Sequence, residues 1–434
     1  MQVLASSAVE ELTVCSHIHD PHILCPQCDL LVEIPAIAIG QKAKCPRCHT
    51  TLTSLWKEPR RRPIGYAASA LFMLLLANLF PFVNMRVAGL GSEVTLIQIP
   101  QVLVSENYAS MASLFMIVVQ LLPAICMLSI IILCMNTRLS AHWKVSIART
   151  LFRLKAWCMV EIFLAGVLVS FVKLMAYGDV GVGSSFLPYV LFCLLQLRAF
   201  QCTDRYWLWQ QVEPAPQLTL PLRVGESGIN QGLRSCHCCM AILPVDQLIC
   251  SRCETKGYAR RKNSVQWTMA LLVTSILLYI PANLLPIMIT QVLGTPMPST
   301  IMAGVVLLWG EGSYPVAMVI LIASILVPTL KMIAIGWLCW DANSNKPVDR
   351  ERLHVIYEVV EFVGRWSMID VFVIAVLSAL VRMGQLMSIY PDIGALLFAG
   401  VVILTMFAAM IFDPRLIWDR AVVQPMKEQQ DGGK

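Results

Sequence analysis

Apolar stretches of about 18 or more residues recur along this chain, each long enough to cross a hydrocarbon core about 30 Å thick. Inside lipid every backbone donor and acceptor must be satisfied within the segment, so such stretches read as helices. Eight spans are expected: Ile64–Met85, Ala112–Cys134, Trp157–Tyr177, Phe186–Cys202, Trp267–Ile289, Pro315–Trp340, Trp366–Met387 and Ile393–Phe412. Pro188, Gln196 and Arg198 interrupt the fourth. Only 14% of the 434 residues are charged, against about 25% in a soluble domain. Mean hydropathy is +0.68. Residues 1–63 contain no such stretch, so the first span is expected to direct insertion itself, without a cleaved leader. The fold class expected is an all-α integral membrane protein.

Basic residues set the orientation. Lys57, Arg60, Arg61 and Arg62 precede the first span. Arg138, Lys144, Arg149, Arg153 and Lys155 separate the second and third, and Lys346, Arg350 and Arg352 the sixth and seventh. The alternate loops carry almost none. By the positive-inside rule both termini and the paired cysteines face the cytoplasm. The net charge of +6 is spread along helix ends rather than gathered in a patch, so nucleic acid is not an expected partner.

Self-comparison reveals two copies of one unit, offset by about 205 to 210 residues. Ala77-Asn78-Leu79-Phe80-Pro81 matches Ala282-Asn283-Leu284-Leu285-Pro286. Pro123 matches Pro328, Glu106 matches Glu311, and Trp157-Cys158-Met159-Val160-Glu161 matches Trp366-Ser367-Met368-Ile369-Asp370. Lys173 matches Arg382, and Arg205 matches Arg415. Four helices per unit bring both copies in from the same side, so the repeats are parallel. The expected organisation is a tail (1–23), a first ribbon (24–56), a first transmembrane repeat (57–212), a linker (213–232), a second ribbon (233–260), a second repeat (261–420) and a tail (421–434).

Eight of the sixteen cysteines fall into two sets of paired knuckles: Cys25, Cys28, Cys45 and Cys48, then Cys236, Cys239, Cys250 and Cys253. Two residues between cysteines let both sulfurs approach one ion, and four thiolates make a closed tetrahedral zinc site. Two structural zinc ions are expected. Disulfides are disfavoured in a reducing compartment. The remaining cysteines in or near spans read as small packing residues.

Ionisable residues inside a span are costly and are candidates for function. Lys331 lies nine residues from Trp340, about 13 Å along the helix, too deep to reach water easily. Ser324 falls on the same face and Thr329 beside it. The repeat mate of Lys331 is Cys126, so the charge belongs to one half. It is either a specialised site or a buried structural pairing. Lys173 and Arg382 lie near the far surface, either snorkelling outward, or lining a cavity or gripping a lipid phosphate. Glu161 and Asp370 lie near the cytoplasmic rim, where a salt bridge is the plainer reading. Thr405 is the strongly polar residue of the last span, although threonine also bonds its own backbone. Nothing resembles a hydrolytic triad or a phosphate loop, so no enzyme is expected.

The ribbon cysteines, the doubled Ala-Asn-Leu-x-Pro motif and Gly364-Arg365-Trp366-Ser367-Met368-Ile369-Asp370 resemble the paraquat-inducible protein A family, which includes the LetA proteins. Phe171-Val172-Lys173-Leu174-Met175-Ala176-Tyr177-Gly178 points to its PqiA branch. The resemblance covers nearly everything after about position 20. It implies an inner-membrane protein of Gram-negative bacteria that works with an MCE-domain tunnel protein (PqiB-like), moves phospholipid between membranes and supports envelope integrity. In LetA-like relatives a polar network is thought to couple transport to protons. Their Ser-x3-Pro-x2-Lys stretch maps to Ser324 and Lys331, and Lys173 and Thr405 also match. An acidic residue of that network corresponds to Ala176 here, a departure. A non-transporting scaffold and a membrane thiol redox protein are the alternatives.

Overall fold

The structure, a computed structural model, describes residues 22–35, 37–87, 90–105, 108–135, 138–174, 179–216, 221–292, 295–310, 312, 314–343, 350–381 and 387–419. It is mostly helical. Among the described residues, seven helical segments are long and apolar enough to cross a membrane. An eighth is obtained if Phe186–Cys202 and Arg205–Val212, bent by 67°, form one span.

The first ribbon is two hairpins, β1 (His22–Leu24) with β2 (Leu31–Glu33) and β3 (Lys42–Lys44) with β4 (Thr51–Ser54). The chain then runs through α1 (Arg61–Leu79), the hairpin β5 (Val83–Val87) and β6 (Leu90–Val94), and the short helix α2 (Gln98–Ser105). Next come α3 (Ala109–Phe115) and α4 (Leu122–Cys134), joined by a π-helical stretch, Met116–Leu121. They are followed by α5 (Ala141–Leu154), α6 (Val160–Leu174), β7 (Asp179–Val182), α7 (Phe186–Cys202) and α8 (Arg205–Val212). The second ribbon carries β8 (Leu233–Ser235) and β9 (Ile242–Pro244).

The same element order then recurs. It begins with α9 (Ser264–Leu284), β10 (Met288–Val292), β11 (Thr295–Ser299) and α10 (Ile301–Gly310). Then α11 (Tyr314–Leu321) and α12 (Val327–Asn343) flank a second π-helical stretch, Ile322–Leu326. Last come α13 (Arg350–Trp366), α14 (Ile369–Leu380), β12 (Met387–Pro391), α15 (Ile393–Ile411) and α16 (Leu416–Asp419). Both π-helical stretches end just before a proline, Pro123 or Pro328. A proline inside a helix lacks its N–H and crowds the carbonyl four residues back, and a widened turn accommodates it.

Two expectations are corrected. The first and fifth spans do not run on to Met85 and Ile289. The helices stop at Leu79 and Leu284, because the residue before a proline is pushed out of the helical region. Phe80 has φ −120, ψ 165, and Leu285 has φ −83, ψ 150. The motif asparagines close the last turns: the Asn78 and Asn283 amides donate to the carbonyls of Leu74 and Tyr279, each at 2.8 Å. The released chain pairs instead. Three-stranded sheets, ordered β6-β5-β7 and β11-β10-β12, close the end opposite the ribbons. The fold is therefore mostly helical rather than all-α.

The most apolar 18-residue stretch of Arg350–Leu380 is 83% buried, whereas that of Ser264–Leu284 is 22% buried. The first is thus core and the second a flank open to lipid. Every residue of α14 is buried. It packs against α6 and α2 of the other half. A Cβ added at Gly166 would lie 3.2 Å from the Phe372 Cβ. Lipid supplies little hydrophobic drive between helices, so such close approach and good fit hold the halves together.

Candidate metal centres and transmembrane site

All four Cys-x2-Cys knuckles share one backbone form. The amide of each first cysteine donates to the carbonyl five residues on, as Cys25 to Leu30 at 2.9 Å and Cys236 to Ala241 at 2.9 Å. The residue after each second cysteine is left-handed: Asp29 (φ 60), His49 (φ 58), Met240 (φ 59) and Glu254 (φ 56). The turns aim both sulfurs of a knuckle at one point. In each set the four sulfurs lie within 4.8 Å of one another and are buried. Cys25–Cys48 and Cys28–Cys45 are 3.4 and 3.5 Å apart, and Cys236–Cys253 and Cys239–Cys250 are both 3.5 Å apart. A tetrahedron with metal–sulfur bonds of about 2.3 Å has edges of about 3.8 Å. The donor set thus fits a soft or borderline dication to within a few tenths of an ångström. Hydrogen bonds from Cys25 and Cys28 draw the Cys45 thiol down to about 6, and Cys239 and Cys250 draw Cys236 down to about 6. Each quartet shares protons that a metal ion would displace.

Within the second half, the Lys331 amine is buried on α12 and donates to the Thr405 hydroxyl on α15 at 3.0 Å. It also reaches the Gly364 carbonyl on α13 at 3.4 Å. A Cβ on Gly364 would stand 3.2 Å from the lysine Cε and Nζ. The glycine therefore makes room for the amine. Thr405 donates its own hydrogen to Val402 O at 3.0 Å, leaving its lone pairs for the lysine. In the first half Cys126 takes the equivalent place, 3.6 Å from Cys158 Sγ.

A cavity of about 120 Å³ lies seven residues along the same helix, between α10 and α14. Its walls are mostly carbon, from Ile301, Leu308, Ile374, Leu377 and Phe398; Ser324 and Asp370 line it toward the ribbons, and Thr290, Ser299 and Thr300 toward the sheet. Two helices of the repeat approach α14 differently: α2 of the first half packs directly on it across the seam, whereas α10 of its own half faces it across the cavity. Ser324 falls in the π-helical stretch, and such widened turns are frequent at functional sites.

The structure thus brings Lys331 to Thr405, and Ser324 to Asp370. Asp370 lines the cavity. Thr329 bonds elsewhere: it donates to Ile325 O at 2.6 Å and meets the Tyr279 hydroxyl at 3.2 Å. Glu161 lies half-buried in the first turn of α6. Lys173 is in the last turn of α6, and its side chain lies outside the described residues. Arg382, Ala176, Glu106 and Glu311 also lie outside them. Gly364 and Tyr279 escaped the sequence reading of the site. The signal for Gly364 was present, since it opens the shared Gly-Arg-Trp-Ser motif.

The sequence model of the family described as Paraquat-inducible protein A matches residues 61–213 and again 265–422. The chain is 67% identical to the intermembrane transport protein PqiA of Escherichia coli (strain K12), over 96% of this chain and all of that protein. It is 30% identical to the lipophilic envelope-spanning tunnel protein A of the same organism, over 91% of this chain and 90% of that protein. A probable intermembrane transport protein of Haemophilus influenzae is 26% identical, over 91% of this chain and 95% of that protein. No solved structure matches.

Proposed function

We propose a function for a chain that belongs to the paraquat-inducible protein A family: it is the inner-membrane subunit of an intermembrane lipid transporter. The ribbons and both termini are cytoplasmic, each ribbon holds one zinc ion, and the sheets face the periplasm. The cargo is phospholipid, passed to or from an MCE-domain tunnel partner. The names of the relatives, an intermembrane transport protein and an envelope-spanning tunnel protein, support this reading.

The observation that carries it is the cavity in the second half. Its carbon walls suit an acyl chain, and Ser324 and Asp370 offer polar groups where a head group or a proton is needed. Lys331 and Thr405 follow about 10 Å further along α12. They form, with Lys173, Arg382 and Glu161 as further candidates, a polar track for protons or head groups. Thr329 stands beside this track, on Tyr279.

Gly304 provides the test. It lines the cavity, and a Cβ there meets nothing within 4 Å. Gly304→Trp fills the space without disturbing the helix. Transfer of fluorescent phospholipid from proteoliposomes to acceptor vesicles carrying the partner is expected to fall about tenfold or more, a barrier rise of about 1.4 kcal/mol. Transfer at the wild-type rate rejects the cavity as the lipid site.

A further inference from the structure

Each ribbon is attached to one half and gripped by the other. The first ribbon leads into α1. Yet the core around Cys25, Cys45 and Cys48 is continuous with Leu353 and Tyr357 of α13 and with Trp418 of α16, all in the second half. The second ribbon leads into α9. Its four cysteines nevertheless pack with Val145 and Ala148 of α5 and Trp209 of α8, in the first half.

The polar contacts repeat this exchange in duplicate. Arg415, after α15, donates its Nε to the Pro26 carbonyl at 3.1 Å, inside the knuckle Cys25–Cys28. Its counterpart Arg205, after α7, donates to the carbonyls of His237 and Cys238, inside the knuckle Cys236–Cys239. Arg47, inside the third position of another knuckle, stacks 4.6 Å from the ring centre of Trp418. Arg252, at the same knuckle position in the second ribbon, lies 5.9 Å from that of Trp209. His354 of α13 lies against Cys48. The half that follows each ribbon chiefly holds its exit: Asp204 accepts from the Ser54 amide at 2.9 Å, and Asp413 from the Arg261 amide at 3.2 Å, while Arg415 also reaches back with Nη2 3.2 Å from His237 Nδ1 of the second ribbon. Two arginine–carbonyl pairs and two arginine–tryptophan pairs, related by the internal repeat, make the exchange a property of the fold.

We infer that each metal centre is completed by the half that does not follow it, so that the loaded ribbons latch the ribbon ends of the two halves together. Four thiolates around a dication leave a net charge of −2. The guanidinium groups beside the knuckles, Arg415 and Arg252 buried and Arg205 half-buried, offset it, and Arg415 and Arg205 hold carbonyls that shape the turn. Arg415 and Trp418 position the first centre, and Arg205 and Trp209 the second. The first centre also reaches the transmembrane site. His354 and Gly364, whose carbonyl accepts from Lys331, belong to one helix, α13.

The inference rests on the ribbons holding zinc, and the experiment separates the two claims. The full-length protein in lipid nanodiscs is expected to hold two zinc ions per chain, one for each sulfur quartet. A metal-free wild type would overturn the metal reading itself. The crossing is read from Cys25→Ser/Cys28→Ser. Zinc is expected to fall to one per chain, and hydrogen exchange to accelerate in α13 and α16 while α5 and α8 stay protected. Acceleration confined to α5 and α8, or none in either half, would overturn the exchange.

A second measurement keeps all eight ligands in place. Arg415→Gln is expected to weaken the first centre roughly 10- to 100-fold, the range for groups that orient metal ligands. Iodoacetamide should then label Cys25 to Cys48 first during chelation. Arg205→Gln should reverse the order, exposing Cys236 to Cys253 first. An unchanged order in both variants, or labelling at the opposite ribbon, would refute the assignment.

Discussion

Lys331→Met separates a working lysine from a structural one. Methionine is unbranched and nearly as long, so it fills the same space between α12, α13 and α15. The substitution removes the donor to Thr405 at 3.0 Å and to Gly364 O at 3.4 Å. Hydrogen bonds from a charged donor are worth about 1.5–3 kcal/mol in total effect when broken. Against that, the substitution removes the desolvation of a buried cation, several kcal/mol per ion. No donor is orphaned, because Thr405 keeps its own bond to Val402 O. The net change in stability is therefore within about 1 kcal/mol, or a gain. Transport is a different matter. If the amine carries protons or draws in head groups, its loss lowers transfer at least about tenfold. Detergent-resistance and thermal unfolding of the purified variant, beside lipid transfer in proteoliposomes, give the two readouts. A stable variant with wild-type transfer would remove Lys331 from the mechanism. A destabilised one, with transfer falling only as the folded fraction falls, would make the lysine structural.

Thr405→Val keeps the shape and removes the hydroxyl partner, so transfer is expected to fall by less than in Lys331→Met, in the same assay. Gly364→Val brings carbon within 3.2 Å of the amine; transfer should drop while zinc content stays the same. At the interface between the halves, Gly166→Ile overpacks against Phe372 and is expected to cost about 1–3 kcal/mol, read as a lower unfolding temperature with no change in bound metal. Stripping zinc with a strong chelator should expose eight thiols to alkylation and leave Cys126 and Cys158 unlabelled, since both are buried among the spans.

The spans and the knuckles were legible because each is local: a long apolar run, or two cysteines three apart. The span ends were not, although the signal was there. Hydropathy continues through Phe82 and Val83 past the proline, so a window of apolar residues runs on where the backbone has already turned. The partners of Lys331 come from α13 and α15, far away in sequence, and only packing brings them together. The cavity has no signature of its own. It exists because α10 stands away from α14 where α2 does not. The exchange of ribbons is equally invisible, since a repeated sequence fixes what each unit looks like and not which copy it grips.

The differences between the halves fall where they would matter for transport. A void lined by carbon loses its packing contacts, and a buried amine opposes folding through desolvation. Both burdens fall in the second half. In the first, the thiols of Cys126 and Cys158 stand where the second half has Lys331 and Ser367. The cavity rests on the helix α14, which is buried along its whole length and leans on the other half through Gly166 and Phe163. A rigid partner of the same shape allows the other copy to carry a defect without collapsing around it. On this view the first half supplies stiffness and the second the path, which is why substitutions that stiffen Gly304 or neutralise Lys331 should spare the fold and stop the transfer.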